Sequence, residues 1–297
     1  MARLDLFEIG GGGGIEPATA VHLDHALRGV GACYVRDAAL PRALLGRFEQ
    51  VTAEFFRRPL GGKLRLAAQG EAKLGYRPPG SASYAAADGS AVSGRDACEL
   101  FKVGRDPGRD EPAGWAAEAP AMRDVWRETY GALAATAVAV GDALAVAAGP
   151  ADPGVRGWVA GQTSNLATNW YPGGQAGDAE PEEGGLRGAH TDFGPFTLLH
   201  HPPGTGGLEV DVDGSWVAVP PIDGALVLLL GDLMAHTTGG RWRAPRHRVV
   251  APPGDGERLS VVFFVFPDPA SPVARPDGGG ATTAGRFVAE RWDRIYA

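Results

Sequence analysis

The chain has 297 residues, 44% of them hydrophobic and 21% charged, a balance that suits a soluble globular protein with a sizeable core. Its formal net charge of −7 speaks against nucleic acid or an anionic membrane surface as a partner. The two cysteines, Cys33 and Cys98, cannot build a disulfide framework and suit buried, reduced thiols of a cytoplasmic protein.

Residues 2–9 read as a short strand, and the acid at Asp5 argues against a signal peptide. The glycines at 10–14 form a connector; no helix-opening GxGxxG with a following acid is present. Pro17 opens a helix, and residues 30–35 form a strand. His22 and His25, one helical turn apart, read as solvated side chains. Pro41 starts a second helix, with Leu44, Leu45, Phe48, Val51, Phe55 and Phe56 on one apolar face. Gly61-Gly62-Lys63 is expected to turn the chain away, residues 75–94 to form a long loop, and residues 98–103 a strand. Residues 105–120 are turn-rich. Residues 131–148 are apolar enough to suggest a membrane span, but Asp142 would cost roughly 2.5–3.5 kcal/mol there. A buried Ala-rich helix over 121–148, stopped by Gly149-Pro150, is the expectation.

From Trp158 onwards short apolar runs alternate with Gly, Pro and Asp, as in an all-β sandwich or barrel. Strands are expected at 165–171, 189–193, 197–201, 207–212, 216–219, 225–230, 247–251 and 259–266. A loop over 268–280 and a helix over 284–296 follow. The fold class is mainly β with flanking helices: a jelly-roll (double-stranded β-helix) core over 158–297. Residues 1–157 form a helical N-terminal lead-in packed on the barrel, the whole being one compact unit.

The chemistry centres on His190-Thr191-Asp192. On a strand, two residues this far apart leave the same face, so an imidazole and a carboxylate can hold adjacent positions on a metal. His247, 55 residues after Asp192 (247 − 192), offers a third ligand. Two His and one carboxylate form the facial triad of non-haem Fe(II) oxygenases. Arg258 and Ser260, sharing a strand face with Val262 and Phe264, can grip a carboxylate by a charge-assisted pair and a hydroxyl. Asn169 and Tyr171 share another face and can assist. His200 and His201 face opposite ways, so both cannot reach the site, and His236 sits in a turn-like segment. The loop 173–185, with Asp178, Glu180, Glu182 and Glu183, reads as a solvated segment beside the metal site or a lid.

In this order and spacing the motifs resemble the isopenicillin N synthase-like family of Fe(II)- and 2-oxoglutarate-dependent dioxygenases. The resemblance rests on Asn169-x-Tyr171-Pro172, His190-x-Asp192, Gly231-Asp232, His247-Arg248-Val249 and Arg258-x-Ser260. The first half is similar to the family's lead-in through Ala53-Glu54-Phe55-Phe56, Lys63 and Gly75-Tyr76. The resemblance implies Fe(II) on His190, Asp192 and His247, with Arg258 and Ser260 on the distal carboxylate of 2-oxoglutarate, assisted by Tyr171 and Asn169. It implies dioxygen-dependent conversion of 2-oxoglutarate to succinate and carbon dioxide, coupled to oxidation of a C–H bond: hydroxylation, or else desaturation or ring closure. Phe193 and Phe264 are expected to line the substrate pocket. Leu229-Leu230-Gly231-Asp232, Gly239-Gly240 and Ala167 depart from the residues common in the family. Two other readings stand beside this one: an oxidase that takes no 2-oxoglutarate, and a metal-binding protein without turnover. The expected partner is a small organic molecule, by analogy one of specialised metabolism such as antibiotic biosynthesis.

Overall fold

A computed structural model describes residues 4–9, 15–70, 73–81, 98–104, 110–152, 154–173, 186–251, 256–274 and 281–296. The first half builds β1 (Leu6–Ile9), α1 (Pro17–Gly29), β2 (Ala32–Asp37), α2 (Arg42–Phe56), α3 (Leu60–Leu64), β3 (Gly75–Arg77) and β4 (Glu99–Val103). It continues through α4 (Trp115–Glu118), α5 (Pro120–Ala148) and α6 (Val155–Ala160). Pro17 and Pro120 each occupy the first turn of a helix, where the missing N–H would have had no partner anyway. Lys63 thus lies in a short helix rather than a turn, and a further short helix, α6, follows the end of α5. Gly75 starts a strand instead of a loop. Its φ is +117°, and a Cβ there would stand 2.6 Å from the Leu66 carbonyl oxygen, so only glycine lets β3 approach that turn. The connector at 10–14 and most of the expected loops at 82–94 and 173–185 lie outside the described residues.

The second half holds β5 (Asn165–Tyr171), β6 (Arg187–His190), β7 (Phe196–His200), β8 (Leu208–Val212), β9 (Ser215–Ala218) and β10 (Leu226–Leu230). Then come α7 (Asp232–Thr237), β11 (His247–Val249), β12 (Arg258–Val265), β13 (Pro272–Ala274), β14 (Ala281–Thr283) and α8 (Ala284–Tyr296). His236 is therefore on a helix, and a small hairpin, β13–β14, occupies part of the expected 268–280 loop.

The eight strands expected after Trp158 divide four and four between two sheets, as in a jelly roll. The smaller sheet runs β6-β11-β8-β9; the larger runs β1-β2-β10-β7-β12-β5-β4-β3. The first half of the chain thus extends the larger sheet at both edges, β1–β2 on one side and β4–β3 on the other, besides supplying helices. Alternation decides which face each residue takes. Leu259, Val261, Phe263 and Val265 of β12 pack with Leu226, Leu228 and Leu230 of β10 against Phe48, Trp126, Leu133 and Leu144 of the helices. Leu199, Val227, Leu229 and Val262 point the other way and meet Leu208 and Val210 of the smaller sheet. Each such side chain contributes about 1.5–3 kcal/mol by burial. Helix α5 is long and apolar enough to cross a membrane by length and composition, but it packs against α1, α2 and α6 in the first cluster. Its Asp142 turns outward to Arg156, at 2.8 Å.

Candidate metal centre

The space between the two sheets, at the His190 end of β6, collects the polar residues that the apolar clusters exclude. His247 opens β11 and is the direct cross-strand partner of His190, which ends β6. Asp192 is not on the strand, as the two-residue spacing suggested; it follows β6 in a loop. That loop is held by backbone: the Asp232 N–H donates to the Asp192 carbonyl at 2.7 Å, at the start of α7. A Cβ on Gly231 would stand 2.8 Å from that carbonyl oxygen and 2.2 Å from that of Gly194, which explains a glycine before Asp232.

One donor atom from each of His190, Asp192 and His247 lies within 4.8 Å of the others, and all three residues are buried. The Asp192 Oδ1 is 3.8 Å from Nε2 of His190 and 3.9 Å from Nε2 of His247. Each imidazole has its Nδ1 on the carbonyl of the residue two before it: Gly188 at 2.8 Å and Pro245 at 3.2 Å. A donating Nδ1–H leaves the Nε2 lone pair facing Asp192, the tautomer that a metal requires. Burial, then the charges of His247 and Arg187, hold His190 well below the usual histidine range, so its ring is neutral and ready to ligate. The second oxygen of Asp192 accepts from the Thr197 hydroxyl at 2.5 Å, turning Oδ1 toward the imidazoles. This donor set fits a divalent metal with open positions.

Farther in, Arg258 stands opposite Tyr171 and Ser260 opposite Asn169 across the β12–β5 pair. Arg258 is 1% exposed; its Nε donates to the Gly206 carbonyl at 2.7 Å, and its guanidinium lies over the Tyr171 ring, 4.9 Å from the centroid. Both terminal nitrogens are buried with no hydrogen-bond partner among the described residues. Burial lowers its pKa, yet a guanidinium stays protonated, so this fork is an uncapped cation shaped for a carboxylate. Arg187 of β6, which sequence reading passed over, reaches across to donate to the Asn169 Oδ1 at 2.7 Å, and the Asn169 amide lies 3.4 Å from the Ser260 hydroxyl. The residues present therefore fit a dicarboxylate keto acid as well as a metal.

Phe193 and Phe264 line a narrow cavity that His190, Thr191 and Asp192 also border, with Leu100, Lys102, Asn165, Ala167 and Phe266. Thr197 and Lys102 were likewise passed over; the alternation that places Arg258 and Ser260 on one face, applied to β4 and β7, would have turned both inward. His200 faces the helices and bonds to Glu49 at 2.7 Å. His201 is buried, and both ring nitrogens lack a partner among the described residues; burial, with Arg258 nearby, pushes its pKa down to about 3. His22 is exposed beside Asp5. His236 lines a separate, more open groove between α7 and α8 that includes none of the triad.

Comparison with known proteins gives concordant matches. Residues 164–267 match the family model of the 2OG-Fe(II) oxygenase superfamily, and residues 5–126 match that of the non-haem dioxygenase in morphine synthesis N-terminal region. Validamycin A dioxygenase of Streptomyces hygroscopicus subsp. limoneus is 34% identical over 278 residues, 87% of this chain and 75% of that protein. Flavanone 3-dioxygenase 2 of Oryza sativa subsp. japonica is 28% identical over 82% of this chain and 68% of its own length. Among solved structures, a full-length Neurospora crassa protein crystallised with alpha-KG and thymine superimposes with a TM-score of 0.80 at 22% identity, covering 98% of this chain and 96% of that one. The rice dioxygenase for auxin oxidation gives 0.76, also at 22% identity, over 98% and 95%.

Proposed function

The chain belongs to the 2OG-Fe(II) oxygenase superfamily and is an Fe(II)- and 2-oxoglutarate-dependent oxygenase acting on a small molecule; from that premise we propose the residues that do its work. His190, Asp192 and His247 hold the ferrous ion. Arg258 and Ser260 hold the distal carboxylate of 2-oxoglutarate, with Tyr171 and Asn169 completing the pocket and Arg187 fixing the Asn169 amide. Bound there, the metal supplies dioxygen-dependent decarboxylation of the keto acid and oxidation of a substrate C–H bond. The protein's own share is to orient, to exclude water and to set charge. Thr197 and the two backbone carbonyls keep the donor atoms converged, and Phe193 and Phe264 wall the substrate side. Residues 158–297 form the oxygenase core and residues 1–157 its lead-in, in a cytoplasmic protein. The similarity to validamycin A dioxygenase supports a role in specialised metabolism, antibiotic biosynthesis included.

The observation that supports this assignment is one interior holding both an open metal triad and a guanidinium whose two terminal nitrogens have no hydrogen-bond partner among the described residues. The test is an anaerobic titration of Fe(II)-loaded protein with 2-oxoglutarate, followed by the visible charge-transfer band of a chelated keto acid. The band is expected to form, and Arg258→Ala is expected to raise the 2-oxoglutarate needed by about ten- to a hundredfold. Iron binding with no band, or a band indifferent to Arg258→Ala, would overturn the assignment.

A further inference from the structure

Two residues between the sheets hold buried nitrogens with no hydrogen-bond partner among the described residues: Arg258, at both terminal nitrogens, and His201, at both ring nitrogens. Orphaned polar atoms are rare in a folded interior, so two neighbouring groups left this way ask for one account. Alternation along β7 puts His201 there. His200 turns to the helices and bonds to Glu49, while Leu199 packs between the sheets with Leu208, Val210 and Val262. His201 therefore shares the inner face with Leu199. Pro202 keeps the residue before it extended and ends the ladder, having no N–H to give. In the β7–β12 register His200 stands opposite Val261, so the next position sets His201 beside Ser260. Ser260 in turn faces Asn169, and Arg258 faces Tyr171. His201 thus closes the row Asn169–Ser260–His201, diagonal to Arg258 and within reach of its long side chain.

The backbone closes this corner. The Thr205 N–H and hydroxyl both donate to the Pro202 carbonyl, at 3.2 and 2.6 Å, folding the segment after His201 into a tight turn. That turn leads to Gly206, whose carbonyl accepts from the Nε of Arg258 at 2.7 Å. The loop thus occupies Nε of Arg258 and leaves its terminal nitrogens unbonded, while His201 is only 4% exposed. Burial, then the Arg258 charge, keep the imidazole neutral, so one ring nitrogen carries a hydrogen to donate. The Ser260 hydroxyl lies 3.4 Å from the Asn169 amide and, accepting there, keeps its own hydrogen for a ligand. Arg258, Ser260 and His201 therefore present donors at adjoining positions of one buried corner. A carboxylate offers two oxygens with about four lone-pair sites, enough for both terminal nitrogens of Arg258, the Ser260 hydroxyl and one ring nitrogen of His201.

Resting on the oxygenase reading above, we infer that His201 is a further binding residue for the co-substrate, its imidazole donating to the distal carboxylate of 2-oxoglutarate beside Arg258 and Ser260. The probe is 2-oxoglutarate itself, titrated anaerobically into Fe(II)-loaded protein and followed by the charge-transfer band. Fe(II) affinity is measured in parallel by competition with a coloured chelator. His201→Leu removes the donor and is expected to raise the 2-oxoglutarate needed about tenfold. His201→Gln keeps an N–H at similar reach and is expected to stay within about threefold of the unsubstituted protein. Fe(II) affinity is expected to be the same in all three proteins, which reads the barrel and the triad as intact. A His201→Leu protein that takes up 2-oxoglutarate as tightly as the unsubstituted one overturns the inference. So does His201→Gln as weak as His201→Leu, or a loss of Fe(II) affinity alongside that of 2-oxoglutarate, since either makes His201 a structural support only. No band in the unsubstituted protein marks failure of the oxygenase assignment, and the inference falls with it. A band there that is indifferent to His201 removes the inference alone.

Discussion

Thr197 shows how a single hydroxyl can set up the proposed metal site. Its bond occupies one oxygen of Asp192 and leaves the other facing the two imidazoles. Replacing it by valine keeps the β-branched shape that the strand prefers but releases the carboxylate to rotate. Thr197→Val is expected to weaken Fe(II) binding by about ten- to a hundredfold, the usual effect of losing a bond that orients a ligand, with the fold retained. Competition with a coloured chelator under anaerobic conditions reads this directly; unchanged affinity would mean that the Asp192 loop alone fixes the carboxylate. The tautomers of His190 and His247 rest on the same logic, since each Nδ1 is committed to a carbonyl two residues back.

At the scale of elements, the clearest device is the buried group that joins α3, β3 and β4. The Lys63 ammonium donates to the Phe56 carbonyl at 2.9 Å and pairs with Glu99, which also accepts from the Tyr76 hydroxyl at 2.7 Å. Phe55, Phe56, Tyr76 and Phe101 pack around it edge to face. The resemblance set Lys63, Gly75-Tyr76 and Phe55-Phe56 together in the lead-in; the fold shows that they are one assembly that ties α3 to β3 and β4. Since β4 carries Lys102 and Leu100 on its other face, this lock also positions one wall of the cavity. Lys63→Met leaves the Glu99 carboxylate buried without its cation and is expected to cost about 3–5 kcal/mol in urea unfolding. Adding Glu99→Gln is expected to return a large part of that loss, because the stranded charge is then gone. A double variant no better than the single one would count against a charge-based account.

For the whole molecule, the pH dependence of stability follows from polar groups that the fold dehydrates. His201 has its folded pKa depressed to about 3, against 6.5 for the free side chain. As pH falls below 6.5 the unfolded chain takes up this proton while the folded one does not. Stability therefore drops across the window from 6.5 down to 3, and is untouched by this group above it. His201→Leu is expected to make the acid limb of the stability profile shallower by about one proton over that window, readable from urea midpoints at successive pH values. An identical slope in the variant would mean that His201 is solvated in the folded state.

Much of this molecule was legible in the chain because its signals are local. Alternation over seven or eight residues fixes the two faces of β5 and β12, so Asn169 and Tyr171, and Arg258 and Ser260, could be put on common faces without knowing what those faces met. The 3.6-residue stripe of α2 and the length and stop of α5 were equally plain, as was the count of eight strands after Trp158. What escaped depends on register between distant segments. No local pattern says that Gly75 and Ala167 flank Lys102 or that Arg187 reaches Asn169. Nor does the two-residue spacing reveal that Asp192 has left its strand, since that is decided by the backbone of Gly194 and Gly231 closing on the loop. The charge states of His190, His201 and Lys102 likewise belong to the tertiary structure alone. Sequence supplies the ionisable groups, and only packing removes the water that sets how they titrate.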